Sequence, residues 1–274
     1  MKKDRDPARG LRRIEGRHNA LVKQLRKAFA VGEPAPDGSC AIEGFRILEE
    51  AIRSGLRFQA VFFSQSARDR AERLLPQMAA QVETVLLPDK LFASAVASET
   101  PQGAAALVRC KSFTLEDVLA RSATGPLLVI HGVQDPGNVG TMLRSAEAFG
   151  AGGVLWGDGS ASPFNPKAVR ASAGSVFRLP LAKVGISDVL DQLRARDLRL
   201  VATSSHKGTP LHQATLTGPL AVFIGNEGAG LPRDLLSAMT EVIAIPHSPR
   251  VESLNAGVAA SIVLYEIARQ KQQK

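Results

Sequence analysis

Two cysteines, one tryptophan and one tyrosine are all that this 274-residue chain holds of those types. Cys40 and Cys110 lack metal-pair spacing and are too few for a disulfide framework, so a reducing cytosol suits them best. With so little Trp and Tyr, extended base-stacking of the single-strand-binding kind is not indicated. His131, His206, His212 and His247 are scattered without H-x-x-x-H spacing, so no metal is expected. No apolar run reaches the ~18–20 residues of a spanning helix, and the charged N-terminus lacks the apolar segment of a secretory signal. A membrane partner is therefore not expected. No G-x-G-x-x-G follows an apolar run either, which disfavours a nucleotide-dependent oxidoreductase.

What the chain does have is unevenly placed charge. Its formal charge is +8, and the first 27 residues carry ten Lys/Arg against three acids. The remainder is close to neutral. A basic arm on a near-neutral body suits a polyanion, because each neutralised phosphate releases a counterion. A solvated tail that aids solubility is the alternative reading.

Hydrophobic periodicity divides the chain into a basic arm over 1–14, a small α/β domain over 15–112, a linker over 113–126 and a second domain over 127–274. In the first domain Asn19 caps a helix that carries Leu21, Val22, Leu25 and Phe29 on one side. Two prolines and two glycines make Gly32–Gly38 a loop. Phe45–Arg53 and Ala67–Ala80 read as helices, and Ala60–Phe63, Glu83–Leu87 and Ala104–Val108 as strands. Leu115–Ala120 is a short connecting helix. From Leu127 onward strands alternate with helices. Strands are expected at Leu127–His131, Gly153–Trp156, Arg199–Thr203, Leu220–Ile224 and Val242–Ile245. The helices between them include one from Asn138 to Phe149, and Ser253–Gln270 closes the chain. Such alternation predicts a parallel sheet whose ligand crevice lies beyond the carboxyl ends of its strands.

Three glycine-rich stretches sit at such strand ends: His131–Gly150 (HGVQDPGNVGTMLRSAEAFG), Phe223–Leu231 (FIGNEGAGL) and Ile245–Tyr265 (IPHSPRVESLNAGVAASIVLY). Any one of them alone reads as an ordinary strand-to-helix turn. Together, in this order and spacing, they resemble the three motifs of the SpoU/TrmH branch of the SPOUT methyltransferases. The resemblance covers roughly residues 125–272. A weaker one, carried by Glu43-Gly44-Phe45 and Thr100-Pro101-Gln102-Gly103, links the first domain to the substrate-binding domain found in rRNA-type members.

That resemblance implies an α/β-knot catalytic domain, with a deep trefoil knot and a mainly parallel sheet, preceded by a small α/β RNA-binding domain. It implies a homodimer that moves a methyl group from S-adenosylmethionine to an RNA ribose 2′-hydroxyl in the cytoplasm. The two-domain layout favours ribosomal RNA over transfer RNA, and thiostrepton-resistance methyltransferases share it. A non-catalytic RNA-binding or ribosome-assembly factor on the same scaffold is the competing reading.

The cofactor residues it implies are Thr203, Gly225, Asn226, Gly228, Ile245, Pro246, Leu254 and Asn255. Its catalytic set is Arg144, Asn138, Glu227, Ser253 and Asn255. Each also has a plainer reading. Arg144 could pair with Glu147 on one helix face. Asn138 could cap its helix, Glu227 brace its own turn, and Ser253 cap the final helix. Asn255 could hold the loop architecture. Arginine is a poor base, since its guanidinium stays protonated at any ordinary pH. Phosphate binding or stabilisation of a developing alkoxide suits it better. On the last helix Leu254, Val258, Ile262 and Ile267 are candidates for an interface or for covering the sheet. His206 and Lys207, after a strand end, read as a solvated loop, with cofactor or RNA contact as the alternative.

Overall fold

The structure is a computed structural model that describes residues 11–157, 159–205 and 207–273. Residues 1–10 of the basic arm and His206 lie outside the described residues. The chain forms two compact units. Within the described residues, the first runs to Lys111 and adds Phe164–Phe177, while the second takes the remainder from Ser112 onward.

In the first unit the elements are β1 (Arg12–Arg13), α1 (Ala20–Val31), β2 (Ser39–Glu43), α2 (Phe45–Arg53), β3 (Arg57–Ser64), α3 (Arg68–Leu74), β4 (Glu83–Leu87), α4 (Asp89–Ala93) and β5 (Ala104–Arg109). They build a five-stranded mixed sheet in the order β1-β4-β3-β5-β2. Asn19 caps α1 by accepting from the Leu21 N–H, and Gly32 ends it in the left-handed conformation. Val22, Leu25 and Phe29 of α1 join Phe62, Val85, Leu87 and Leu107 in one buried cluster. Phe45 of α2 stacks on Phe63, with ring centroids 6.0 Å apart.

Several elements depart from the periodicity reading. Residues 11–14 belong to the sheet: Leu11 and Ile14 are buried, and Arg12 bonds Glu83 at 2.9 Å beside the paired strand β4. Two apolar residues among arginines make too short a pattern to declare a strand. The single helix expected over 67–80 is broken, with α3 stopping at Leu74 and a 3-10 turn carrying Pro76. Cys40 and Cys110 are joined as a disulfide, although their spacing in the chain gave no sign of a pair.

Beyond the linker come α5 (Leu115–Leu119), β6 (Leu127–Ile130), α6 (Pro136–Ala148), β7 (Gly153–Trp156), α7 (Pro166–Ser172, within the first unit), β8 (Leu181–Lys183) and α8 (Ile186–Arg194). There follow β9 (Arg199–Ser204), β10 (Thr209–Pro210), β11 (Leu220–Ile224), α9 (Arg233–Ser237), β12 (Glu241–Ala244) and α10 (Ala256–Gln272). The seven strands of the second unit lie in the order β10-β12-β9-β11-β6-β7-β8, and every pairing is parallel. Both faces are covered, which explains the unbroken apolar runs LLVI and LAVFI in its central strands. The β2, β8 and β10 strands went unread because they are short or lack a clear period.

The order reverses at the β6–β11 boundary: β7 and β8 extend to one side, β9 and β12 to the other. Loops leaving β6 and β11 therefore diverge there and open a crevice. Behind it α6 packs on α10, burying Val139, Met142, Leu143 and Ala146 with Ala260, Val263, Leu264 and Ile267. Small residues permit the close approach. A Cβ on Gly257 would sit 3.1 Å from that of Thr141, and the Ser145 and Ser261 hydroxyls bond at 2.7 Å. Ile267 thus belongs to the core and leaves the set of interface candidates. Among the described residues no helix is long and apolar enough to cross a membrane.

Gly103 offers a sharp test of the first unit. Its φ is 82°, and an added Cβ would lie 2.6 Å from both the Ala67 Cβ and the Ser64 Oγ. Gly103→Ala is expected to cost about 2–4 kcal/mol, combining left-handed strain with overpacking. Urea unfolding should show a lower midpoint; an unchanged midpoint would contradict the packing described.

Candidate functional site

The crevice is built by loops that bond to one another across long sequence separations. After β11, the loop Gly225–Gly230 folds tightly on itself: the Asn226 and Gly230 backbones exchange hydrogen bonds at 3.0 Å. Gly225 has to be glycine, because a Cβ there would lie 2.4 Å from the Gly230 carbonyl carbon. Asn226 pins the loop from within. Its Oδ1 accepts from the Gly228 and Ala229 N–H groups at 2.9 Å, and its Nδ2 donates to the Gly132 carbonyl at 2.8 Å.

Glu227 reaches the loop after β6. One oxygen accepts from the Asn138 amide at 3.0 Å and the Asp135 N–H at 3.3 Å, and the other from the Gln134 N–H at 3.3 Å. Asn138 in turn accepts from the Asn255 amide at 2.8 Å. Asn255 then caps α10 by accepting from the Val258 N–H at 3.1 Å. One hydrogen-bonded chain, Glu227–Asn138–Asn255, thereby joins all three glycine-rich stretches.

The electrostatics of Glu227 follow from this clasp. Burial pushes its carboxyl pKa up, but donors from Asn138 and the Gln134 and Asp135 backbones outweigh that, leaving it below the ordinary 4.5. A depressed carboxyl pKa contributes stability that is present above the ordinary value and lost as pH falls through the folded one. Acid should therefore open the clasp.

Beside the clasp lies a cavity of about 390 Å³ at the carboxyl ends of β9, β11 and β12. That is within the ~300–1,000 Å³ common for small-molecule sites. Thr203, Gly225, Asn226, Glu227, Gly228, Ile245, Ser253 and Leu254 line it. Ile224, Leu236, Ile245 and Leu254 give apolar walls suited to a flat ring, while Glu227 and Glu252 give acidic edges suited to a cationic ligand. These walls and edges match the chemistry of S-adenosylmethionine, which carries an adenine ring, a sulfonium and an ammonium group.

Not every residue singled out from sequence lines the cavity. Asn138 and Asn255 bond behind it, and Pro246 sits between two lining residues. Arg144 is exposed on α6, and among the described residues its guanidinium has no partner. The plainer readings change as well. Glu147 is bonded by Arg178, so an Arg144–Glu147 pair does not form. Asp135, not Asn138, caps α6, and α10 begins at Ala256, so Ser253 is not a helix cap. Leu236, His247, Glu252 and Ala259 also line the cavity and were not singled out. His247 and Glu252 lie within the third stretch and were within reach of its motif, whereas Leu236, on α9, carried no sign.

Comparison with known proteins agrees with this geometry. The family model described as SpoU rRNA Methylase family matches residues 125–265, and that of the MRM3-like substrate binding domain matches residues 19–106. The 23S rRNA (guanosine(2553)-2′-O)-methyltransferase RlmP of Bacillus subtilis (strain 168) is 31% identical over 94% of this chain and 99% of that protein. A solved RNA 2′-O ribose methyltransferase superimposes with a TM-score of 0.80 at 31% identity, covering 95% of this chain and 99% of its own. The SpoU methyltransferase AviRb of Streptomyces viridochromogenes, solved with AdoMet, gives a TM-score of 0.80 at 26% identity over 93% of this chain and 99% of its own.

The clasp makes a direct prediction. Asn138→Ala removes one donor from Glu227 and strands the Asn255 amide, which should cost about 1–3 kcal/mol. The Glu227 pKa should rise relative to the parent. Chemical denaturation and a carboxyl-carbon NMR titration would measure the two effects, and an unmoved Glu227 titration would contradict the clasp.

Proposed function

The chain belongs to the SpoU rRNA methylase family, and we propose that it methylates a ribose 2′-hydroxyl of large-subunit ribosomal RNA. The observation that carries this reading is the Glu227–Asn138–Asn255 chain, which assembles three loops around a cofactor-sized cavity. Bound S-adenosylmethionine supplies a methyl group made electrophilic by its sulfonium sulfur. The remaining work falls to the protein. Ile245 and Leu254 would hold the adenine ring between aliphatic walls, with Thr203, Gly225, Gly228 and Pro246 shaping the pocket. Glu227, Asn138 and Asn255 keep the loops in register, and Ser253 lies at the rim.

Arg144 is the residue we assign to the ribose and its phosphate. It projects from α6 six residues beyond Asn138, as an exposed cation. There it can fix a phosphate and stabilise negative charge developing on the attacking oxygen, with water taking the proton.

The same reading includes a deep trefoil knot, a cytoplasmic site of action and a homodimer. The dimer is supported by α10, where Val258 is 46% and Tyr265 54% exposed, and by the Tyr265 ring packed edge-on to Phe149 at 5.7 Å. A paired copy would remove this apolar stripe from water.

Arg144→Ala should abolish most methyl transfer while binding S-adenosylmethionine as the parent does, measured by calorimetry. Mapping 2′-O-methyl groups in parent, deletion and Arg144→Ala-complemented cells should reveal one ribosomal position that loses its methyl in both altered strains. Near-parental turnover by the purified variant would overturn the assignment. Separately, Val258→Asp combined with Tyr265→Asp should sediment as a monomer where the parent sediments as a dimer.

A further inference from the structure

The first unit contains a cavity of its own, of about 530 Å³. Glu43, at the end of β2, forms part of its wall and is only 4% exposed. Ser98 and the Ala97 backbone stand beside its carboxylate. Even so, Oε2 is buried without a partner among the described residues. A buried carboxylate oxygen left in that state is costly, and native proteins rarely keep one without a use. Burial pushes the Glu43 carboxyl up despite Ser98 and the nearby Arg170. An incoming N–H donor would relieve that desolvation with a charge-assisted bond.

The rest of the lining narrows the class of donor. Gln102 offers one further donor and acceptor, matching a group with mixed polar edges. Arg46 and Arg170 are both exposed, and Arg170 is anchored by a 3.1 Å bond to the Ser98 hydroxyl. A buried acceptor with two exposed arginines against one exposed acid, Glu99, suits a nucleotide entering base first, its flanking phosphates meeting the arginines. Among the bases, guanine presents two adjacent N–H donors, N1–H and N2–H, on its Watson–Crick edge. We propose that this cavity holds an unpaired guanine of the RNA substrate, with the Glu43 carboxylate accepting from that edge. The pocket is separate from the catalytic cavity, and its use in RNA selection rests on the RNA-methyltransferase reading.

The test uses the full chain saturated with S-adenosylhomocysteine, which keeps nucleosides out of the other cavity. Short RNA pentamers UUGUU, UUIUU, UUAUU, UUCUU and UUUUU, where I is inosine, are titrated while the backbone amides of Ala97, Ser98 and Gln102 are followed by NMR. UUGUU should bind best and shift these amides. Inosine, which keeps N1–H but lacks the 2-amino group, should bind more weakly, and uridine weakest. Glu43→Gln preserves shape but turns an acceptor into a donor, so UUGUU should bind at least about tenfold more weakly. Arg46→Ala, at an exposed position where folding is not at stake, should weaken all five pentamers by a similar factor. No movement of the cavity amides with any pentamer, a preference for A, C or U, or equal UUGUU binding by Glu43→Gln would overturn the proposal. A parent chain that binds the pentamer but transfers no methyl group would overturn the enzymatic reading alone.

Discussion

One carboxylate organises the catalytic unit. Glu227 stands on the loop after β11 and takes its hydrogen bonds from the loop and first turn after β6. Parallel strands cannot be joined by tight hairpins, so the loops at their carboxyl ends are not connected along the chain. Something must hold them together in space. Glu227 does so through Asn138, which passes the connection on to Asn255 and the start of α10. The residues that a motif reading treats as chemical are thus, in this geometry, largely a scaffold that keeps the cavity and the Arg144 helix in fixed relation.

Much of the catalytic unit was legible in the sequence because its elements are long and regular. Strands at Gly153–Trp156 and Leu220–Ile224 fall at the expected positions. The motif loops could be placed at strand ends for the same reason. What could not be read was which side chain bonds which. Asn138 and Asn255 are 117 positions apart, and no local pattern relates them. The capping alternatives at Asn138 and Ser253 give way to Asp135 and Asn255 because several polar residues compete near each helix start, and only backbone geometry decides among them. In the first unit, short strands such as Arg12–Arg13 and Ser39–Glu43 carry too few residues for a period to emerge.

Charge illustrates a related limit. Counting showed a basic N-terminal segment, but placement changes what those charges do. Arg12 is bound to Glu83 at the sheet edge, whereas Arg46 and Arg170 line a cavity wall. A balance sheet of formal charge cannot distinguish an arginine spent on an internal ion pair from one left to face a ligand.

The division of the chain into units also bears on the order in which the protein is made. The first unit includes Phe164–Phe177, which lies well downstream of its main stretch ending at Lys111. At ~5–20 residues per second, a ribosome takes roughly 3–13 s to extend the chain from Ser112 to Phe177. Throughout that interval the nascent first unit lacks α7, and its cavity lacks Arg170. Co-translational folding of the N-terminal half is therefore left waiting for a segment encoded inside the catalytic half, and a gene cut cleanly between the halves would never supply it.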